Sequence, residues 1–161
     1  MTSSRGCSSS LAAIALIWFC ATSAGAAEIL AATAGHHGRS YSVRVDAVVG
    51  APQADVRRLL TDYNHLGRIN PVIRISEILL QRAPGDQRVR TVSEVCVWIY
   101  CRRLRQVQDV SESEDGSLIA VVLPDQSDFR HGTAHVKLWG EPAGTRVLLH
   151  GELEPDFWIP P

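Results

Sequence analysis

Apolar and polar residues alternate along most of the chain, and a period of two is typical of strands that bury one face. The first alternating run begins at Tyr41, where apolar residues at 41, 43, 45 and 47 are separated by polar ones. Further predicted strands cover residues 72–81, 88–98, 132–139 and 145–153, and residues 118–123 form a continuous apolar run typical of a buried strand, with turn residues such as Pro84-Gly85-Asp86 between them. The pattern predicts an antiparallel meander of about six to seven strands.

The run that follows Cys101 is ambiguous. Leu104, Val107 and Val110 recur at every third position, which suits a helix as well as a bulged strand. We favour a strand because the run follows a hairpin-like turn and ends at a polar turn over residues 111–116.

A helical segment separates the first strand from the others. Its apolar residues are Val56, Leu59, Leu60 and Tyr63. Their spacing of i, i+3, i+4 and i+7 places them on one face of a helix. Pro52 suits the first turn, where its missing N–H would have no partner. Pro71 ends the helical region by residue 69, because the residue before a proline is extended.

The first 26 residues have the pattern of an export signal. Arg5 is the only charge before an apolar run over residues 11–21, and Ala24-Gly25-Ala26 matches the sequence that signal peptidases cleave. We predict a signal peptide over 1–26, a flexible leader over 27–40 and a domain over 41–161 in a secreted or periplasmic protein. An uncleaved anchor is the alternative, although the run is shorter than the ~20 residues of a spanning helix.

Export would leave only Cys96 and Cys101 in the mature chain, because Cys7 and Cys20 belong to the signal. Two cysteines in an oxidising compartment favour a disulfide, and their spacing suits a hairpin loop. Free thiols and a metal pair are the alternatives. No further ligands have suitable spacing for zinc, so we expect no metal.

Length and composition exclude several classes of protein. The 161 residues are 45% apolar, and 16 basic against 17 acidic side chains give a formal charge of −1. This balance is unlike that of an electrostatic nucleic-acid binder or a disordered tail. The length fits one compact domain.

Short segments spread over the domain carry a resemblance to a known superfamily. They are Val48-Val49-Gly50-Ala51-Pro52, Leu59-Leu60-Thr61-Asp62-Tyr63, Asn70-Pro71, residues 96–101, residues 124–130 and residues 154–158. Together with the order of the elements, they resemble the START-like (SRPBCC) proteins, which include polyketide cyclase/dehydrase-like and coenzyme Q-binding-like proteins. The last three segments resemble an exported bacterial branch.

The resemblance implies an α+β helix-grip fold, in which a curved antiparallel sheet wraps a long C-terminal helix around an apolar cavity. The sequence ends at Pro161 before any such helix. We therefore expect a domain that is truncated at its C-terminus. Its apolar sheet face would then be covered by a lipid, a partner protein or a second copy in a homodimer.

Aromatic residues in or beside strand ends are the candidate ligand-binding residues, because they combine a rigid apolar surface with a polar handle. They are Tyr63, Trp98, Tyr100, Phe129, Trp139, Phe157 and Trp158. We predict an exported, non-catalytic carrier of an apolar small molecule such as a lipid, a quinone or a polyketide-like compound, without a cofactor.

Two other functions remain open. A cyclase or dehydrase-like enzyme would need an acid–base pair, for which Asp62, Tyr63 and Arg130 are the candidates. A protein-interaction domain is the other. The basic run Arg102, Arg103 and Arg105 would suit peripheral contact with anionic lipids, although a solvated strand edge is favoured.

Other arrangements of reactive residues carry less weight. A hydrolase could use Ser127 and His131 with Asp128 or Asp125, but the sequence has no G-x-S-x-G motif around the serine. The carboxylates Glu152, Glu154 and Asp156 alternate at a strand end, where solvation explains them better than glycoside hydrolysis does.

Overall fold

The computed structural model describes residues 27–97 and 99–157. Eight strands form one antiparallel sheet. They are β1 (Glu28–His37), β2 (Ser40–Val49), β3 (Ile73–Ala83), β4 (Asp86–Val97), β5 (Tyr100–Glu112), β6 (Leu118–Val122), β7 (Phe129–Glu141) and β8 (Gly144–Pro155). Their order across the sheet is β1-β2-β8-β7-β6-β5-β4-β3. Helix α1 (Gln53–Leu60) and a 3-10 turn (Leu66–Arg68) connect β2 to β3.

The predicted strands and the predicted helix are present, and the ambiguous run after Cys101 is strand β5. The prediction of a flexible leader over residues 27–40 is wrong, because Glu28–His37 forms β1 and pairs with β2 along its length. Local pattern could not show this, since the strand obtains its hydrogen bonds from β2 and all ten of its residues are exposed. The protein is therefore mostly β, with eight strands instead of six to seven.

Helix α1 is the single α-helix among residues 27–97 and 99–157, and no helix follows β8 there. The predicted signal peptide, Trp98 and Trp158 lie outside the described residues. None of the described helices has the length and hydropathy to cross a membrane.

The core lies between the sheet and the segment that follows α1. Tyr63, Val89 and Val110 form a buried cluster, against which Leu66, Ile78 and Ala120 pack. The side chain of Gln53 at the start of α1 donates a hydrogen bond to the carbonyl of Leu138 on β7, at 3.1 Å. The helix thus covers one part of one sheet face and leaves the rest of that face open.

A second 3-10 turn, Pro124–Gln126, continues the sheet where β6 is too short to do so. The backbone N–H of Leu123 donates to the carbonyl of Val107, and the N–H of Asp128 donates to the carbonyl of Arg105. The Ser127 hydroxyl accepts from the N–H of Val107 at 2.9 Å and donates to its carbonyl at 3.1 Å. Ser127 and Asp128 therefore provide hydrogen-bond partners for backbone groups of β5 that β6 does not reach.

The predicted disulfide is present at the end of the β4–β5 hairpin. Cys96 and Cys101 are register partners on the two strands, with their Cα atoms 4.0 Å apart. The bond closes a loop of six residues at the tip, where Ile99 is 99% exposed.

Candidate ligand-binding trough

The two faces of the sheet differ in chemistry. Ala120 packs against the core cluster that contains Tyr63, so we call the sheet face that carries Ala120 the helix-side face. The opposite face carries ion pairs: Arg146 bonds both oxygens of Asp46 at 2.8 Å, and Arg88 bonds both oxygens of Asp109 at 2.8 and 3.0 Å. An apolar ligand would therefore find its surface on the helix-side face.

A row of small and apolar residues crosses the helix-side face at one level of the register. Its members, each paired with the next on the neighbouring strand, are Ala34, Val43, Gly151, Ala134 and Ala120. The five residues come from five different strands. Because none has a long side chain, the row forms a depression between larger neighbours.

The depression is part of a cavity of about 330 Å³, which we call the trough. Every residue that lines the trough belongs to β2, β5, β6, β7 or β8. They are Tyr41, Ser42, Val43, Gln106, Gln108, Ala120, Val122, Thr133, Ala134, Leu149, Gly151, Glu152 and Leu153. The volume lies at the lower end of the range of small-molecule sites.

Glycine is required beside the trough at position 132. A Cβ atom there would lie 2.6 Å from Cδ1 of Leu153 and 2.6 Å from Cγ2 of Val122, which is too close for real contacts. The missing side chain lets Leu153 and Val122, which lie on strands either side of β7, approach each other over its backbone. Together they form an apolar wall of the trough.

Two glutamines on β5 are the polar side chains of the lining that hydrogen-bond each other. The carboxamide of Gln106 donates from Nε2 to Oε1 of Gln108, at 2.7 Å. The carboxylate of Glu152 lies on the opposite face of β8, where it accepts a hydrogen bond from the Ser40 hydroxyl at 2.6 Å. Tyr41 carries the aromatic ring of the lining and stacks on His36, with ring centroids 4.5 Å apart.

The structure places the predicted aromatic residues in several separate locations. Tyr63 lies in the core, where burial raises the pKa of its phenol. Phe129 and Phe157 meet edge to face with centroids 6.2 Å apart, and the guanidinium of Arg102 lies 4.0 Å above the Phe157 ring. Trp139 lies near Arg146, 5.5 Å from its ring centroid to the guanidinium carbon.

Tyr100 begins β5, while Trp98 and Trp158 lie outside the described residues. Of the predicted residues whose side chains the structure describes, none lines the trough. Sequence reasoning missed Tyr41 and the small residues of the row. Their signal was alternation on β2, β7 and β8, which becomes informative only when the register between strands is known.

The residues considered for acid–base chemistry are engaged in surface contacts or in the core. Asp62 contacts His65 Nδ1 at 2.8 Å, and Arg130 pairs with Asp156. Tyr63, the third candidate, packs in the core cluster. The structure therefore does not assemble these three candidates into one site.

Other candidate groups have structural partners. Glu152, Glu154 and Asp156 contact Ser40, Arg39 and Arg130, respectively. Within the described part of the chain, no group of three or more His, Cys, Asp or Glu side chains could hold a metal ion.

No protein-family model matches the sequence, and no curated protein matches it. Solved structures do match the fold. A START superfamily protein from Mycobacterium smegmatis superposes with a TM-score of 0.60 at 16% identity, over 77% of this chain and 82% of that one. The chain has a START-like fold. The resemblance seen in the sequence is thereby confirmed at the level of the fold.

Two further matches differ in what their names describe. The START-like sheet superposes on a STAR-related lipid transfer protein from Xanthomonas axonopodis with a TM-score of 0.59 at 16% identity, covering 80% of this chain and 85% of that one. The Zhui aromatase/cyclase from Streptomyces sp. R1128 gives 0.56 at 20% identity, covering 74% and 71%. The trough lies on the helix-side face of this START-like sheet.

Proposed function

We propose that this protein binds an apolar small molecule, such as a lipid, a quinone or a polyketide-like compound, in the trough and carries it without covalent chemistry. The observation that supports this proposal most strongly is the apolar depression on the helix-side face of a START-like sheet. The Arg146–Asp46 and Arg88–Asp109 ion pairs lie on the opposite face, and the Arg57–Glu112 pair of the helix-side face lies outside the trough lining.

The binding energy comes from removing apolar surface from water. Apolar side chains of the trough are open to solvent when no ligand is bound, and Val43, for example, is 41% exposed. A ligand that covers these groups gains about 25 cal/mol for each Å² of apolar surface that it buries. Shape would then determine selectivity among apolar molecules of similar size.

A matched pair of variants on β7 tests the proposal. Ala134 lines the trough, whereas its neighbour His135 is exposed and points to the opposite face, as alternation along a strand requires. The substitutions Ala134→Leu and His135→Leu introduce the same side chain on the two faces. Binding is followed by titrating each protein with N-phenyl-1-naphthylamine, a neutral dye that fluoresces in apolar surroundings.

The proposal predicts saturable binding of the dye to the wild-type protein. Ala134→Leu should weaken it by at least about fivefold, because an enlarged side chain in a packed site costs about 1–3 kcal/mol. His135→Leu should leave the affinity unchanged. Equal affinities in all three proteins, with thermal unfolding showing that each is folded, would contradict a site in the trough.

We further propose that the protein is exported through a signal peptide over residues 1–26. The charge and hydropathy pattern of these residues supports this proposal. The test is the intact mass of the protein recovered from the periplasm of an expressing bacterium. Export with cleavage predicts a chain that begins at Ala27, and a full-length chain in the cytoplasm would contradict it.

A further inference from the structure

Two carboxamides interrupt the otherwise apolar middle of the trough. Gln106 and Gln108 are two positions apart on β5, so both side chains project from the helix-side face. The hydrogen bond of 2.7 Å between them is the one side-chain hydrogen bond that either makes within the described part of the chain.

The carboxamide pair lies among apolar side chains, where hydrogen bonds to a ligand contribute more than they would in water. Gln108 lies between its register partners Val89 on β4 and Val122 on β6, which are 0% and 5% exposed. Hydrogen bonds are stronger in such apolar surroundings than in water, and polar groups left without partners there are costly. A ligand that covers the trough must therefore satisfy the carboxamides or lose affinity.

The bonded pair keeps hydrogen-bonding groups that a ligand can use. Each carboxamide has one oxygen that accepts and one NH2 group that donates. Whichever of the two donates to the other, the pair still presents one oxygen and one NH2 group to a ligand. A hydroxyl group can satisfy both, because it donates one hydrogen bond and accepts others. A hydrocarbon can satisfy neither.

The charges around the trough argue against an ionised ligand. Among the described residues that line it, there is no Lys, Arg or His, and the carboxylate of Glu152 lies on the opposite face, because its neighbour Gly151 belongs to the helix-side row. A carboxylate or a phosphate in the trough would thus lack a cationic partner, which buried anions require.

We infer that the Gln106–Gln108 pair selects an uncharged apolar ligand that carries a hydroxyl group, such as an alcohol or a phenol. This inference rests on the proposed binding of apolar molecules in the trough. It adds to that proposal the chemical group that the ligand must carry and the two residues that recognise it.

The test compares two ligands that differ by one hydroxyl group, 2-naphthol and naphthalene, each measured by displacement of N-phenyl-1-naphthylamine. The variant is Gln106→Met with Gln108→Met, because methionine keeps a long unbranched side chain and loses the strong hydrogen-bonding groups. The control is Gln126→Met, in an exposed turn outside the lining.

The inference predicts that the double variant binds 2-naphthol about tenfold more weakly than the wild-type protein does, since two net hydrogen bonds are lost. Its affinity for naphthalene should stay the same or increase. Gln126→Met should leave both affinities unchanged.

Two other outcomes separate the inference from the function on which it rests. If both ligands bind and the double variant changes their affinities equally, the role of the glutamines is refuted while binding in the trough stands. If neither ligand displaces the dye from the wild-type protein, or the dye itself does not bind, the proposed function is contradicted and the inference falls with it.

Discussion

Replacing Thr145 with valine should destabilise the fold more than any change of similar size on the surface. Thr145 lies near the start of β8 and is completely buried, at 0% exposure. Its hydroxyl donates a hydrogen bond of 2.7 Å to the carbonyl of Ala51, in the turn that connects β2 to α1. The bond therefore ties the end of the sheet to the beginning of the helix that covers it.

The size of the effect follows from what valine leaves behind. Valine has nearly the shape of threonine, so packing is preserved, but the Ala51 carbonyl loses the hydroxyl that donates to it. A buried acceptor without a partner costs about 1–3 kcal/mol. For a domain of this size, the melting temperature should fall by about 3–10 °C.

Urea denaturation followed by circular dichroism measures the change in the free energy of unfolding. Thr33→Val is the matched control, because Thr33 is exposed on the edge strand β1. We expect the control to stay within about 0.5 kcal/mol of the wild-type value. A Thr145→Val protein that is as stable as the control would show that the hydrogen bond to Ala51 does not stabilise the fold.

Three further perturbations test other parts of the account. Ser127→Ala should lower the free energy of unfolding by about 1–3 kcal/mol, because the buried backbone of Val107 loses both hydrogen bonds to the Ser127 hydroxyl. An unchanged urea midpoint would contradict that structural role. Replacing Cys96 and Cys101 with serine should cost about 2 kcal/mol for so short a loop, and equal stability of this variant and the oxidised wild-type protein in urea would argue against the disulfide. Hydrogen bonds from Arg88 and Arg82 lower the pKa of Asp109, so the stability that Asp109 contributes is complete above about pH 4 and is lost as the pH falls through its depressed pKa. On acidification, the free energy of unfolding of Asp109→Asn should therefore fall less than that of the wild-type protein. Parallel curves of unfolding free energy against pH would contradict this.

The sequence predicted those elements whose side chains reveal which face they bury. Alternation located β2 and most of the later strands, a continuous apolar run located β6, and the flanking turns located β5. The spacing of Val56 and Tyr63 predicted the helical segment: Val56 is buried on α1 and Tyr63 is buried just after its end, whereas Leu59 of the same predicted face is 50% exposed. Strand β1 escaped prediction because Ala31-Ala32-Thr33-Ala34-Gly35 has no apolar–polar alternation. Its strand conformation depends on pairing with β2, which is tertiary information.

The candidate site was harder to predict than the fold for a related reason. Large aromatic residues such as Trp139 were the predicted ligand contacts, but Trp139 lies near Arg146 and does not line the trough. The trough is formed by residues that are unremarkable singly, such as Ala134 and Gly151. They form a depression only because the register places them side by side on β7 and β8.

Binding of an apolar ligand in the trough can be observed residue by residue with nuclear magnetic resonance. Amide resonances of 15N-labelled protein are recorded while 2-naphthol is added. The account predicts saturable shifts at Val43, Ala120, Ala134 and Gly151, with the resonances of the β4–β5 hairpin tip unaffected. Shifts confined to that tip, or no saturable shift at any amide, would contradict a binding site on the helix-side face.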